Sequence, residues 1–401
     1  MDTEKNKGIE AEKYAYDLSK DRLLEQYCFL NPFILNTDNK EICDLLIIAN
    51  NTAIIISVKN YEFSGNYERF NKQVFEKSKR QLLGAKRKLL LNNLCTIIDK
   101  NKKQQDIDFT KLKKIILLTL NYGHSLDYYN LIEKENATII HNLDKDSFET
   151  VLFELDSVPE MVEYFEKKEN LFSNFSSINI FGEEKDLLAW FVTNKREFPI
   201  EWTKNNVDDL VLEIDGRWEF YDTHKQTILK RDANKVSYFV DELVKNEIGK
   251  LSGGEIIVDY LMGLNRVQRR MFSLTFFDQY EKYKNKTANF LSRRHCFKTF
   301  HDAGCLMLYY VSSLPENELD DFLRITAEIY LYKTINHHQK IIFIGTTKDF
   351  SQFKFGFIER TIPYSQQEIN YYEDIIKKFG WFTSQTYSNI NVKEYPDKKD
   401  N

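Results

Sequence analysis

Five cysteines in 401 residues, Cys28, Cys43, Cys95, Cys296 and Cys305, are too few and too scattered for a disulfide framework. They show no CxxC spacing, and their odd number points to reduced, mostly buried thiols in a cytoplasmic setting. No apolar run is long enough to span a membrane, and the first residues are charged and polar where a secretory leader would be apolar. Positive charge is also in short supply. Lys and Arg number 56 against 61 Asp and Glu, a net charge of −5, so any affinity for nucleic acid has to come from local patches. The chain has no Gly-x-x-x-x-Gly-Lys-Ser/Thr loop, which excludes an ATP site of the P-loop kind, and no Gly-x-Ser-x-Gly elbow or Ser/His/Asp order. Gly345-Thr-Thr-Lys348 is only a short echo of a phosphate loop. His295 and His301 with Cys296 between them, and the adjacent His337 and His338, do not have zinc-ligand spacing. All four histidines read as structural or surface groups.

What is present suits a folded enzyme. With 42% hydrophobic and 29% charged residues the chain can build cores without metals or disulfides, and its length calls for two domains. Apolar periodicity predicts a helix over Ile9–Gln26, an irregular strand over Phe29–Leu35, a long helix over Glu68–Leu91, a buried strand over Lys114–Leu120, a short one over Ala137–Ile140 and a helix over Phe148–Lys168. Small polar residues from Ser173 predict a linker at 171–184 between a first domain, 1–170, and a second, 185–392, which reads as α+β; residues 393–401 are expected to be a disordered tail. In the second domain helices are expected over Lys185–Thr193, Val236–Ile248, Glu255–Tyr283 and Glu316–Tyr332. Strands are expected over Cys305–Val311 and Ile341–Gly345, and Leu210–Tyr221 reads as a strand or hairpin.

The most informative stretch is Glu41-Ile-Cys-Asp44, a short apolar run, a turn at Asn50-Asn51, and Ile54-Ile-Ile-Ser57-Val-Lys59. It reads as a β-hairpin. One strand carries Asp44 near its start and the other ends at Lys59, so a carboxylate and an ammonium meet at one edge of a sheet.

These residues resemble the PD-(D/E)xK nuclease superfamily, the restriction-endonuclease-like fold, across about the first 150 residues. Asp44 matches the first acid of the pattern and Lys59 its lysine. Gly8-Ile-Glu-Ala-Glu12 looks like the opening helix, with Glu12 in the place of its Glu. Ser78-Lys-Arg-Gln81 lies where related members place a Gln near the substrate. The resemblance implies a mixed sheet flanked by helices and a metal-dependent phosphodiesterase using Mg²⁺ or Mn²⁺, with Glu12, Asp44 and Lys59 catalytic and nucleic acid, DNA favoured, as substrate. It also implies a role in bacterial defence or DNA processing, as a homodimer or with a partner protein. One departure is plain: the acid before x-Lys is Ser57, a poorer ligand for a hard cation. The resemblance then implies a metal held by Asp44, the Val58 carbonyl and an acid from the following helix, Glu76, with Glu68 and Glu41 as alternatives. If none serves, the domain is an inactive nuclease fold that binds nucleic acid or a protein.

Lys72, Lys77, Lys79, Arg80, Lys86, Arg87 and Lys88 crowd the long helix, with Glu76 nearly its only acid. Charge runs are usually solvated faces, but this one directly follows Lys59. Ser57, Lys77, Arg80 and Gln81 are therefore the candidate nucleic-acid contacts. Arg269-Arg270 and Arg293-Arg294 read either as surface ion pairs or as a grip on a nucleic-acid backbone or an acidic partner.

Overall fold

The computed structural model describes residues 2–35, 40–49, 51–123, 129–204, 209–283, 290–297, 305–312, 316–334, 340–347, 353–381 and 392–397. They form a mixed α/β structure in two units, Met1–Ile228 and Leu229–Asn401.

The first unit opens with α1 (Asp2–Leu23), β1 (Cys28–Leu30), β2 (Phe33–Ile34), β3 (Leu45–Ala49) and β4 (Thr52–Lys59). Helices α2 (Tyr67–Asn71) and α3 (Lys77–Leu91) follow, joined by a π turn at Lys72–Glu76. After them come β5 (Leu94–Ile98), β6 (Gln104–Asp108), β7 (Lys114–Asn121), β8 (Ile132–Glu135), β9 (Thr138–Asp144), α4 (Lys145–Leu155) and α5 (Val158–Ser173). The unit closes with β10 (Ser177–Phe181), α6 (Glu184–Thr193), α7 (Glu201–Lys204), β11 (Asp209–Glu213) and α8 (Arg217–Thr223).

Six strands make the main sheet in the order β1-β3-β4-β7-β9-β8. Strands β4, β7 and β9 run parallel, and the remaining pairings are antiparallel. The expected hairpin is there, with Leu45 opposite Ile56 and Ile47 opposite Ile54. Its strands read as nearly unbroken apolar runs because both faces are covered. Leu46, Ile48, Ala53 and Ile55 pack with Leu82, Ala85 and Leu89 of α3. The alternate residues Leu45, Ile47, Ile54 and Ile56 are just as buried, on the face where α1 and α4 lie. Period-two alternation then fixes the site: Asp44, Ser57 and Lys59 share a face with Leu46, Ala53 and Ile55, so all three lie on the side of α3.

Elsewhere the expected elements shift for local reasons. The 29–35 strand is two strands, split where Asn31 takes a left-handed φ of 46° before Pro32. The 148–168 helix is two helices, broken at Asp156 (φ 48°), with Pro159 in the first turn of α5. The polar loop around Lys100 joins β5 and β6, which form a small three-stranded sheet with β2. The expected linker at 171–184 lies inside the first unit. There β10 pairs in parallel with β11, and Leu171, Phe172 and Phe175 share a core with Leu187, Leu210 and Leu212. The chain divides only after Ile228.

Helix α9 (Lys225–Asn234) leads into the second unit: α10 (Tyr238–Asn246), α11 (Glu255–Met262), α12 (Arg266–Tyr283), β12 (Phe290–Phe297), β13 (Cys305–Ser312), α13 (Glu316–Thr334), β14 (Lys340–Thr347), β15 (Phe353–Glu359) and α14 (Gln366–Phe379). Its sheet runs β12-β13-β14-β15, with only the central pair parallel. Leu319, Leu323, Ala327 and Leu331 of α13 pack on Ile341 and Phe343. Gly345 is a packing residue: a Cβ there would lie 2.3 Å from Leu323 Cδ1. Lys348, His301, His337 and His338 lie outside the described residues, as do the side chains of Arg293, Arg294, His295 and Cys296. Among the described residues no helix is long and apolar enough to cross a membrane.

Arg269 and Arg270 are buried, not surface groups. Arg269 Nη1 donates to Asp241 Oδ1 (2.7 Å), and its Nε and Nη2 donate to the carbonyls of Leu264 (3.0 Å) and Met262 (2.9 Å). Arg270 donates to Asn234 Oδ1 (3.1 Å) and to the carbonyls of Lys393 and Glu394, tying the start of the expected tail to α12. Neither guanidinium is presented for a phosphate.

Candidate active site at the end of the hairpin

The register that sets Leu45 opposite Ile56 continues one residue further and brings Asp44 opposite Ser57. Asp44 is buried. Its Oδ2 accepts the Val58 N–H (2.5 Å) and lies 3.5 Å from Lys59 Nζ, so the carboxylate and the ammonium meet as the hairpin demands. Gln81 reaches in from α3. Its Nε2 donates to Asp44 Oδ1 (3.3 Å), and its Oε1 accepts from Lys59 Nζ (2.7 Å). Ser57 Oγ lies 3.3 Å from Asp44 Oδ2 and 3.0 Å from Gln81 Oε1, so its one proton can serve either. Lys59 Nζ completes its three bonds by donating to Ser57 Oγ (2.8 Å) and the Val58 carbonyl (3.1 Å).

Two more acids stand beside this group. Asn31 holds one of them: its Nδ2 donates to Glu12 on α1 (3.0 Å), while its backbone N–H donates to the Asp44 carbonyl (2.9 Å). Burial, opposed by the Asn31 bond, and the nearby Asp44 charge raise the Glu12 carboxyl above its usual range. Glu41 is pushed up to about 7, first by burial and then by the nearby Asp44 charge. Lys88 fixes the segment before β3 that carries Glu41, donating to the carbonyls of Lys40 (3.1 Å) and Glu41 (3.3 Å).

Glu76 is engaged in an ion pair on its own helix: its carboxylate pairs with Lys79 (3.1 Å), which also faces Glu133 and Glu135. Glu12 and Glu41 are the acids near enough for Asp44 to raise their carboxyls. Among the described residues no group of three or more His, Cys, Asp or Glu gathers closely enough to hold a metal. The donors around Lys59 Nζ are instead a mixed oxygen set: one carboxylate, one hydroxyl, one backbone carbonyl and one amide. Such a set fits a hard cation such as Mg²⁺ or Mn²⁺ and not a thiophilic one.

Lys77 and Arg80 lie exposed on α3. Lys77 bonds Gln73, and Arg80 Nε donates to the Glu76 carbonyl (3.2 Å), which leaves both charges without a carboxylate partner in those bonds. Comparison with protein-family models, with curated proteins and with solved structures found no match. Sequence reasoning missed Asn31, although Asn-Pro is a turn signal and Asn is one of the few residues that tolerates a left-handed φ.

Proposed function

We propose that the first unit is a metal-dependent phosphodiesterase with a restriction-endonuclease-like core, hydrolysing nucleic acid, DNA in preference to RNA. The observation that carries this reading is the meeting of Asp44 and Lys59, with Ser57 and Gln81 between them, where β3 begins and β4 ends. The carboxyl ends of parallel strands are also where α/β sheets bind ligands. Asp44, the Val58 carbonyl and Glu41 are the groups that would hold Mg²⁺ or Mn²⁺. The ion, when bound, would activate water and offset charge on the attacked phosphate. Lys59 neutralises that phosphate as its charge grows. Glu12, held by Asn31 and raised by burial, would take or hold a proton of the attacking water. Lys77 and Arg80 supply contacts to the nucleic-acid backbone.

Ser57, a hydroxyl at the usual acid position, favours a second reading, in which the unit binds nucleic acid without cutting it. One assay separates the two: labelled DNA and RNA incubated with Mg²⁺ or Mn²⁺ and with wild-type, Asp44→Ala or Lys59→Ala protein. Cleavage that falls at least about 100-fold in both variants supports the enzyme. Equal cleavage by all three proteins removes it, and salt-sensitive binding with no cleavage selects the second reading.

A further inference from the structure

Lys59 does not sit beside the oxygen set; it fills it. Its ammonium has Gln81 Oε1 at 2.7 Å, Ser57 Oγ at 2.8 Å, the Val58 carbonyl at 3.1 Å and Asp44 Oδ2 at 3.5 Å. Three of these bonds use up its three protons, and the fourth oxygen provides the opposite charge. The oxygens come from three places in the chain: the start of β3, the end of β4 and the middle of α3. Only 18% of the Lys59 side chain is exposed, and 6% of Asp44. This is the environment of a bound cation, and the cation is the protein's own.

We infer that Lys59 is the resident counter-ion of the site, and that a divalent cation enters only as the ammonium leaves. The inference rests on the reading of Asp44 and Lys59 as the working centre. Asp44 Oδ2 and the Val58 carbonyl serve Lys59 and would also serve the metal, and two cations cannot share them without strong repulsion. A metal also needs its oxygens at about 2.0–2.1 Å for Mg²⁺, closer than any oxygen stands to the ammonium here. The displaced lysine needs a new anion, and a phosphate on a bound strand provides one. Divalent cation and phosphodiester therefore bind as a pair, each improving the other's affinity by the same factor. In the protein alone, Lys59 keeps the seat and the metal binds weakly.

The test uses the full chain and reads binding, not turnover. Mn²⁺ affinity is measured by titration calorimetry for wild type, Lys59→Met and Lys59→Gln, each alone and with a short DNA carrying non-hydrolysable linkages. Thermal melts of the variants show that both are folded. The expected result is that wild type binds Mn²⁺ weakly alone and about tenfold or more tightly with the DNA, while both variants bind Mn²⁺ at least tenfold more tightly than wild type without DNA and gain little from it. If both folded variants bind Mn²⁺ no better than wild type, or worse, the inference is overturned. The outcome is independent of the cleavage assay. A wild type that cuts nothing while Lys59→Met binds Mn²⁺ more tightly would end the enzyme proposal and leave this one standing.

Discussion

The side-chain oxygen of Gln81 stands 3.0 Å from Ser57 Oγ, so helix α3 places a neutral amide over a neutral hydroxyl. A divalent ion proposed to bind here would meet no charge from either side chain, and affinity for hard cations follows the charge count of the ligands. Gln81→Glu adds a charge with nearly the same shape. It should tighten Mn²⁺ binding about tenfold, or about 1.4 kcal/mol, by titration calorimetry. Unchanged affinity would mean that the Gln81 side chain lies outside the cation's reach.

Lys77 and Arg80 are argued to meet phosphates from the exposed side of α3. Lys77→Gln with Arg80→Gln should weaken binding of a duplex of any sequence. It should also lower the slope of log affinity against log salt by about 2, close to 0.9 for each phosphate no longer neutralised. Fluorescence anisotropy over a salt series measures the slope, and a slope equal to that of wild type would place the nucleic acid elsewhere.

Lys168 and Glu184 are both fully buried. The ammonium donates to Glu184 Oε2 (2.5 Å) and to the Leu131 carbonyl (3.2 Å), while Tyr164 OH donates to Glu184 Oε1 (2.7 Å). Lys168→Met alone leaves an uncompensated buried carboxylate and should cost about 3–5 kcal/mol in urea unfolding. Adding Glu184→Gln removes the charge and keeps the acceptor for Tyr164, so the double variant should recover most of the loss. A single variant within about 1 kcal/mol of wild type would mean that water reaches the pair.

His141 is buried against Phe165, with Nε2 3.4 Å from Glu169 Oε1 and with Lys114 and Lys168 nearby. Burial, working against the Glu169 bond, lowers its pKa to about 4 from an ordinary 6.5. Between those values the unfolded chain binds a proton that the folded one refuses, so this residue's contribution to stability rises with pH across about 4 to 6.5 and is lost as pH falls. The stability difference between wild type and His141→Gln should therefore grow with pH over that window, by at most about 1.4 kcal/mol per unit, and level off above it. A difference independent of pH in urea melts would contradict a neutral buried ring.

The hairpin was legible because its strands are long, apolar and joined by a two-residue turn, and the lysine at its end follows from simple counting. Which further acid stands near Asp44 was not legible. Glu41 lies on a backbone held by Lys88, 47 residues away, and bridged to Phe33 just after the left-handed turn at Asn31. The β5–β6 pair was missed because β6 is mostly polar and exposed, with Ile107 its one buried side chain. Arg269 and Arg270 read as surface groups because their partners, Asp241 and the carbonyls of Lys393 and Glu394, are distant in the chain. Local pattern finds elements and their ends; the neighbours that neutralise a charge come from the fold.

The π turn at Lys72–Glu76 sets the phase between two ends of one long helix. Phe70, Val74 and Phe75 pack in one cluster, and Leu82, Ala85 and Leu89 after the turn pack in another. The wider turn shifts the phase of one end against the other. Were it trimmed to regular α-helix by deleting one residue, the segment could keep Phe70 among Tyr61, Phe63 and Phe75, or keep Gln81 over the carboxylate, but not both.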